Sequence, residues 1–301
     1  MTTTIPTMRA VFADTVTEAI ATDPRTALVL AVISSDLFAD ARRDHPDRVI
    51  DVGIREQALI GVAGGLALTG LRPVVHTYAP FLVERAFEQI KLDLVHQDAR
   101  AVLVSIGGSY DVPSAGRTHQ APGDVALIDT LPGFTIHVPG HPDEVRPLLT
   151  SAINGDGNVY LRLSGRSNSQ AYPVDQGFVP VRHGSLGVVL AVGPTLDAVL
   201  AGVEGMDVTV LYAPTIRPFD SAGLRAAVDS AAPNVLVVEP YLRGTSAHEV
   251  ADALADRPHR QRAIGVRRDV EIRAYGTPEE HDVAHDLDPS GIALVARAFF
   301  D

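Results

Sequence analysis

Short apolar runs alternate with helix-length stretches along most of this chain, and no other feature restricts its fold as strongly. Residues 27–33, 48–52, 72–77, 101–106, 135–138 and 159–163 read as strands. Between them, residues 8–21, 56–68, 81–97, 124–130 and 141–153 read as helices. Strands that are apolar on both faces and separated by helices form a parallel sheet covered on both sides. A polar stretch with Pro173, Gly177 and Pro180 then interrupts the pattern and reads as a linker. A second set follows, with strands at 187–191, 208–212 and 234–239 and helices at 196–203, 221–230, 246–255 and 289–300. The expected fold class is α/β with two parallel-sheet domains, 1–172 and 185–301, joined by a linker at 173–184.

With 301 residues there is room for two domains, and the 46% hydrophobic content supports a packed core. Aromatics are only 5% and Trp is absent, so that core rests on Ala, Val, Leu and Ile. A formal net charge of -12 disfavours nucleic acid as a partner, because phosphate binding needs a basic surface. The absence of cysteine excludes disulfides, thiolate metal sites and a cysteine nucleophile. Residues 1–6 lack the basic and apolar regions of a signal peptide, and no apolar run approaches the ~20 residues of a membrane helix. The expectation is a soluble cytoplasmic protein with no membrane contact.

In a parallel sheet, residues just after the strands collect at one edge, where ligands bind. Gly53-Ile54-Arg55-Glu56-Gln57 sits at such a turn and places a carboxylate there. Asp36, Tyr78, Phe81 and His119 follow other strands of the same set. An acid, an aromatic pair and a histidine on one cleft make a candidate active site. Taken singly, each has a plainer role: Glu56 as a first-turn helix acid, Asp36 as a cap, Phe81 as core, His119 as a loop residue. Gly107-Gly108 is too short for a phosphate loop, and His96, His119, His137 and His141 lack metal-ligand spacing, so no metal ligands are assigned to this chain.

Asp51-Val52-Gly53-Ile54-Arg55-Glu56-Gln57, Thr77-Tyr78-Ala79-Pro80-Phe81 and Arg117-Thr118-His119-Gln120 stand in the order expected of transketolase. Thr215-Ile216-Arg217-Pro218-Phe219-Asp220 and Val237-Val238-Glu239, leading to Gly244, extend the resemblance into the second domain. The chain resembles the C-terminal subunit of a split, two-gene transketolase, with a thiamine pyrimidine-binding domain and a transketolase C-terminal-like domain. The resemblance implies transfer of a two-carbon ketol unit from a ketose to an aldehyde with thiamine diphosphate and Mg2+. The diphosphate and the metal would be held mainly by a separate N-terminal subunit, in an α2β2 heterotetramer. It further implies that Glu56 hydrogen-bonds the cofactor's pyrimidine ring, that Phe81 stacks on it beside Tyr78, and that Asp36 and Leu37 line the cofactor. His119 would bind substrate oxygens and assist proton transfer, Arg166 would hold the substrate phosphate, and Arg9 would be a second such substrate-binding arginine. Gly155-Asp156-Gly157 resembles the start of the family's metal-diphosphate motif, but the downstream Asn pair is missing, so it reads as a turn. The small residues Gly61, Ala63, Gly64 and Gly65 suit close helix packing at the shared interface.

The chain departs from the family in places that touch substrate. Ala115-Gly116-Arg117-Thr118-His119 lacks the acid usually found four residues before the histidine, and Arg117 enters. Gly107 lies near the place of a phosphate-binding histidine, and Asp40 replaces a phosphate-binding serine, where an acid would repel a phosphate. These departures predict a donor or acceptor other than the usual sugar phosphate, such as one from specialised metabolism. Two rivals share part of the evidence. One is the beta subunit of a 2-oxo-acid dehydrogenase decarboxylase component, which would release carbon dioxide. The other is a non-catalytic assembly subunit, which would need none of Glu56, Phe81 and His119.

Overall fold

The computed structural model describes residues 5–301; Met1 to Thr4, which begin the stretch read as lacking a signal peptide, lie outside the described residues. The first half of the chain supplies β1 (Thr26–Leu30), β2 (Val49–Asp51), β3 (Arg72–Tyr78), β4 (Val102–Ile106), β5 (Phe134–His137) and β6 (Asn158–Arg162). The second half supplies β7 (Val179–Arg182), β8 (Val188–Val192), β9 (Thr209–Ala213), β10 (Thr215–Arg217), β11 (Asn234–Leu242) and β12 (Arg260–Val266). They form a seven-stranded sheet of order β10-β5-β6-β4-β3-β1-β2 and a five-stranded sheet of order β12-β11-β8-β9-β7. Every pairing among β1 to β6 is parallel, and so are those joining β8, β9, β11 and β12. The expected α/β class, built on two largely parallel sheets, is what the chain forms.

Alternate residues of each central strand face opposite cores, as the pleat requires. Leu28 and Leu30 of β1 pack with Phe12, Val16 and Ile20 of the helix Met8–Thr22, whereas Val29 packs with Leu59 and Ile60 of the helix Glu56–Leu68. That second core runs on into the other sheet through Val188, Leu190, Val235 and Val237. On the far side of the smaller sheet, Val189, Ala191 and Leu236 meet Ile292, Ala296 and Phe299 of the helix Pro289–Phe300.

Several expectations need correction. The 173–184 linker contains β7, which pairs antiparallel with β9, so part of it belongs to the second sheet. β10 crosses back from the second half to pair antiparallel with β5, and the two halves share a sheet edge. The helix expected over 81–97 is instead three pieces, Pro80–Glu84, Phe87–Gln89 and Ile90–His96. The first and last are wound in wide π turns, as in the Arg85 N–H to Pro80 carbonyl bond of 3.0 Å. Such irregular turns are common at functional sites. Of the small residues expected at a partner interface, Gly64 serves inside the chain: a Cβ there would lie 2.8 Å from the Asp93 carbonyl oxygen, so its absence admits the Ile90–His96 segment. Ala63 is core as well, and Gly61 and Gly65 remain at the surface. Among the described residues, no helix is long and apolar enough to cross a membrane.

A buried ionic network ties the sheet edge together. Arg162, the last residue of β6, donates to Asp124 at 2.7 Å, and Tyr160 donates to the same carboxylate oxygen at 2.8 Å. Arg162 also donates to Ser109 at 2.7 Å, and Ser109 donates in turn to the Pro240 carbonyl in the second sheet. Arg162 is 2% exposed and Asp124 0%. Removing one member of such a pair leaves the other charge buried and alone. The Asp124→Ala variant is expected to lose about 3–5 kcal/mol of unfolding free energy. Urea denaturation followed by circular dichroism checks this; an unchanged midpoint would show that the pair contributes little.

Candidate active site

The turn after β2 is set by one carboxylate. Asp51 accepts from the backbone N–H groups of Val32 at 3.1 Å and Gly53 at 2.9 Å, and from the Ser35 hydroxyl at 2.5 Å. Burial opposes its charge, but the Ser35, Gly53 and Val32 donors outweigh that and hold the carboxyl below the usual range. Gly53 takes φ +72°, a left-handed conformation that favours glycine, and the chain then enters the helix at Glu56.

Glu56 is 2% exposed and accepts a 2.7 Å hydrogen bond from Arg85 Nη1 on its Oε2. Gln57 Nε2 donates to the Arg85 carbonyl at 3.1 Å, so adjacent side chains of the helix grip one residue. The Arg85 guanidinium carbon also stands over the Phe81 ring, 4.2 Å from its centroid. Phe81, Tyr78 and His119 meet edge to face, with centroids 5.0 Å apart for Phe81–His119, 5.6 Å for Tyr78–His119 and 6.1 Å for Tyr78–Phe81. His119 Nδ1 lies 3.0 Å from the Thr118 hydroxyl. Glu56, Tyr78, Phe81 and His119 thus converge, with Arg85 as a fifth member.

Gly107 borders this group. It has φ +67°, and a Cβ there would lie 2.5 Å from Cδ1 of Tyr78. The Tyr78 ring therefore fills the space that a side chain at 107 would enter. The loop carrying His119 is held from the second sheet's side: Arg117 Nε donates to Glu271 at 2.8 Å, and Gly116 lies against Tyr275. The basic residue that enters this loop is thus already paired.

The other residues read from the sequence form two further groups. Arg9 Nε donates to Ser34 Oγ at 2.9 Å, and its Nη2 lies 4.0 Å from Asp36. Asp36 and Leu37 are exposed, and Asp51 ties their loop to the Glu56 turn through Ser35 and Val32. Ser34 bonds His76 Nε2 at 2.8 Å, while His76 Nδ1 bonds the Val104 carbonyl at 2.9 Å; only a neutral ring can donate at Nδ1 and accept at Nε2. Burial pushes the His76 imidazole down to about 4. Arg166 lies elsewhere along the edge, with Nη1 2.7 Å from both carboxylate oxygens of Asp282. Asp40 is exposed on its short helix Ala39–Asp44 and is bound to Arg43 at 2.6 Å.

Sequence alone does not single out Arg85, His76 or Asp282. For Arg85 a signal exists, a cation four positions after Phe81 on the same turn. Among the described residues, one Asp/His/Glu group has metal-like spacing, Asp129, His248 and Glu249. Arg217 already pairs with both acids, and none of the three belongs to the site.

Residues 5–170 match the family described as transketolase, pyrimidine binding domain. A Rhodococcoides fascians protein described as an uncharacterized 33.6 kDa protein in fasciation locus is 53% identical over 294 residues, covering 97% of this chain and 94% of its own length. A chain of the apulose-4-phosphate transketolase of Actinobacillus succinogenes, named as one of that enzyme's subunits, is 33% identical over 224 residues, 71% of this chain and 72% of that protein. A solved structure described as a split gene transketolase, inactive beta4 tetramer, matches with a TM-score of 0.84 at 22% identity, covering 97% of this chain and 98% of its own.

The buried His76 predicts acid sensitivity. An imidazole whose value is lower in the folded state leaves the unfolded chain binding more protons between about 6.5 and about 4. Stability is therefore full above the higher value and falls as pH drops through that window, by about 3 kcal/mol from this group. Urea midpoints measured across the window should fall for the parent and fall less for His76→Gln. Equal slopes would contradict the assignment.

Proposed function

The chain belongs to the transketolase family, as a subunit with the pyrimidine-binding and C-terminal domains, and we propose that it forms half of a thiamine diphosphate-dependent active site that transfers a two-carbon ketol unit. The other half, with the diphosphate and Mg2+ ligands, would lie on a separate subunit, in an α2β2 assembly. The relative named as one of a transketolase's subunits and the split-gene chain described as inactive support this division.

One observation carries the reading. The planar Arg85 guanidinium both lies over Phe81 and hydrogen-bonds Glu56. Those are the two contacts a pyrimidine ring would make, stacking on an aromatic face while sharing a proton with a carboxylate, so the residues fit the cofactor's ring. A ring taking that place must displace Arg85. Glu56 Oε2 is then the oxygen that shares a proton with a ring nitrogen, and its burial keeps water from competing for it. When bound, thiamine diphosphate supplies a carbon nucleophile for the ketose carbonyl. His119 has its Nδ1 beside Thr118, which leaves Nε2 to move a proton to or from a substrate oxygen. Tyr78 and Phe81 fix the plane of that imidazole.

Reconstituted with the partner subunit, thiamine diphosphate and Mg2+, the enzyme is expected to move a ketol unit from a ketose to an aldehyde without releasing carbon dioxide. Glu56→Ala should lower turnover by about a hundredfold or more with assembly intact, as judged by size-exclusion chromatography. Unchanged turnover in the assembled variant, or carbon dioxide from a 2-oxo acid, would contradict the reading.

A further inference from the structure

Beyond the aromatic cluster, the same sheet edge opens into a cavity of about 250 Å3 between the two sheets. Ser109 leads into it from the end of β4, and its backbone is paired with that of Ala121, two residues past His119. The charged lining consists of Asp111, Glu279, Asp282, Asp288, Arg162 and Arg166. Carboxylates outnumber guanidiniums two to one. Arg162 is also committed to Asp124, outside the lining.

Of the two lining cations, Arg166 is the more exposed, and Asp282 occupies it. Both Asp282 oxygens lie 2.7 Å from Nη1, and the Tyr110 hydroxyl donates to Oδ1 at 2.7 Å. The Arg166 and Asp282 side chains are 32% and 17% exposed, so water screens the pair only in part. Arg166 Nε is buried without a hydrogen-bond partner. A phosphate dianion brought to Arg166 would meet Asp282 at contact distance. A hydroxyl suits the place better, because it can accept from an arginine N–H and donate to a carboxylate.

We propose that Asp282 is a specificity-determining residue that commits the site to ketol substrates lacking a phosphate at the end that enters this cavity. The proposal rests on the ketol-transfer reading and adds the substrate class. Like charges in contact at a partly buried site lower affinity by about a hundredfold, which is ample to set a preference.

The test uses the reconstituted holoenzyme with D-xylulose and D-xylulose 5-phosphate as donors, each with glyceraldehyde as acceptor. The wild type should show kcat/KM for xylulose about tenfold or more above that for its 5-phosphate. Asp282→Asn should narrow that ratio about tenfold, mainly through a lower KM for the phosphorylated donor, with the fold checked by circular dichroism. A wild-type preference for the 5-phosphate would overturn the role of Asp282 and leave ketol transfer standing; this comparison needs no variant. An unchanged ratio in a folded, assembled Asp282→Asn enzyme would overturn it too. Turnover of neither donor would overturn the ketol-transfer reading and the proposal with it.

Discussion

Six strands of the larger sheet run in one direction, and helices or the second sheet cover both of its faces. This constraint sends the turns after β1, β2, β3, β4 and β6 to a single edge. Glu56, Tyr78, Gly107, Ser109 and Arg166 are far apart in sequence but become neighbours along that edge. The apolar strands supply the rigidity, and the turns supply the chemistry.

Charge at that edge is handled by pairing. Glu56 is held by Arg85, Arg162 by Asp124, Arg166 by Asp282 and Arg117 by Glu271. The last two pairs reach across to the second half of the chain, which therefore helps determine the electrostatics of the larger sheet's edge. A buried carboxylate or guanidinium without a partner is costly, so the first three pairs also fix the loops that carry them, whereas Arg117 and Glu271 are exposed and hold their loop weakly. Arg85 differs from the others because its two contacts, an aromatic face and a carboxylate, are ones that a flat heterocycle can replace.

The parallel sheets are legible in the sequence because their central strands are apolar on both faces, as in Leu28-Val29-Leu30 and Leu236-Val237-Val238. The edge strands are not. β12 begins Arg260-Gln261-Arg262, all exposed, which leaves only Ala263-Ile264-Gly265-Val266 as an apolar run, and β10 has three residues. β7 lies in a polar stretch whose composition suggests a linker. Glu56, Tyr78, Phe81 and His119 can be read because each follows a strand end or sits in a recognisable motif. Asp282 cannot, because its role comes from pairing with a residue 116 positions away, and Arg85 is marked only by its place four positions after Phe81, its partner lying 29 positions away. Charge alone draws attention to Arg117 and Asp40; their pairing with Glu271 and Arg43 is set by the fold and cannot be read from the sequence.

The central claim is that this chain holds half of a cofactor site, with Arg85 standing where a pyrimidine ring would lie. Calorimetric titration of thiamine diphosphate with Mg2+ tests it most directly, into this chain alone and into its assembly with the diphosphate-binding subunit. Tight, Mg2+-dependent binding should occur only in the assembly, and Glu56→Ala should weaken it. Tight, Mg2+-dependent binding by the isolated chain would contradict the claim.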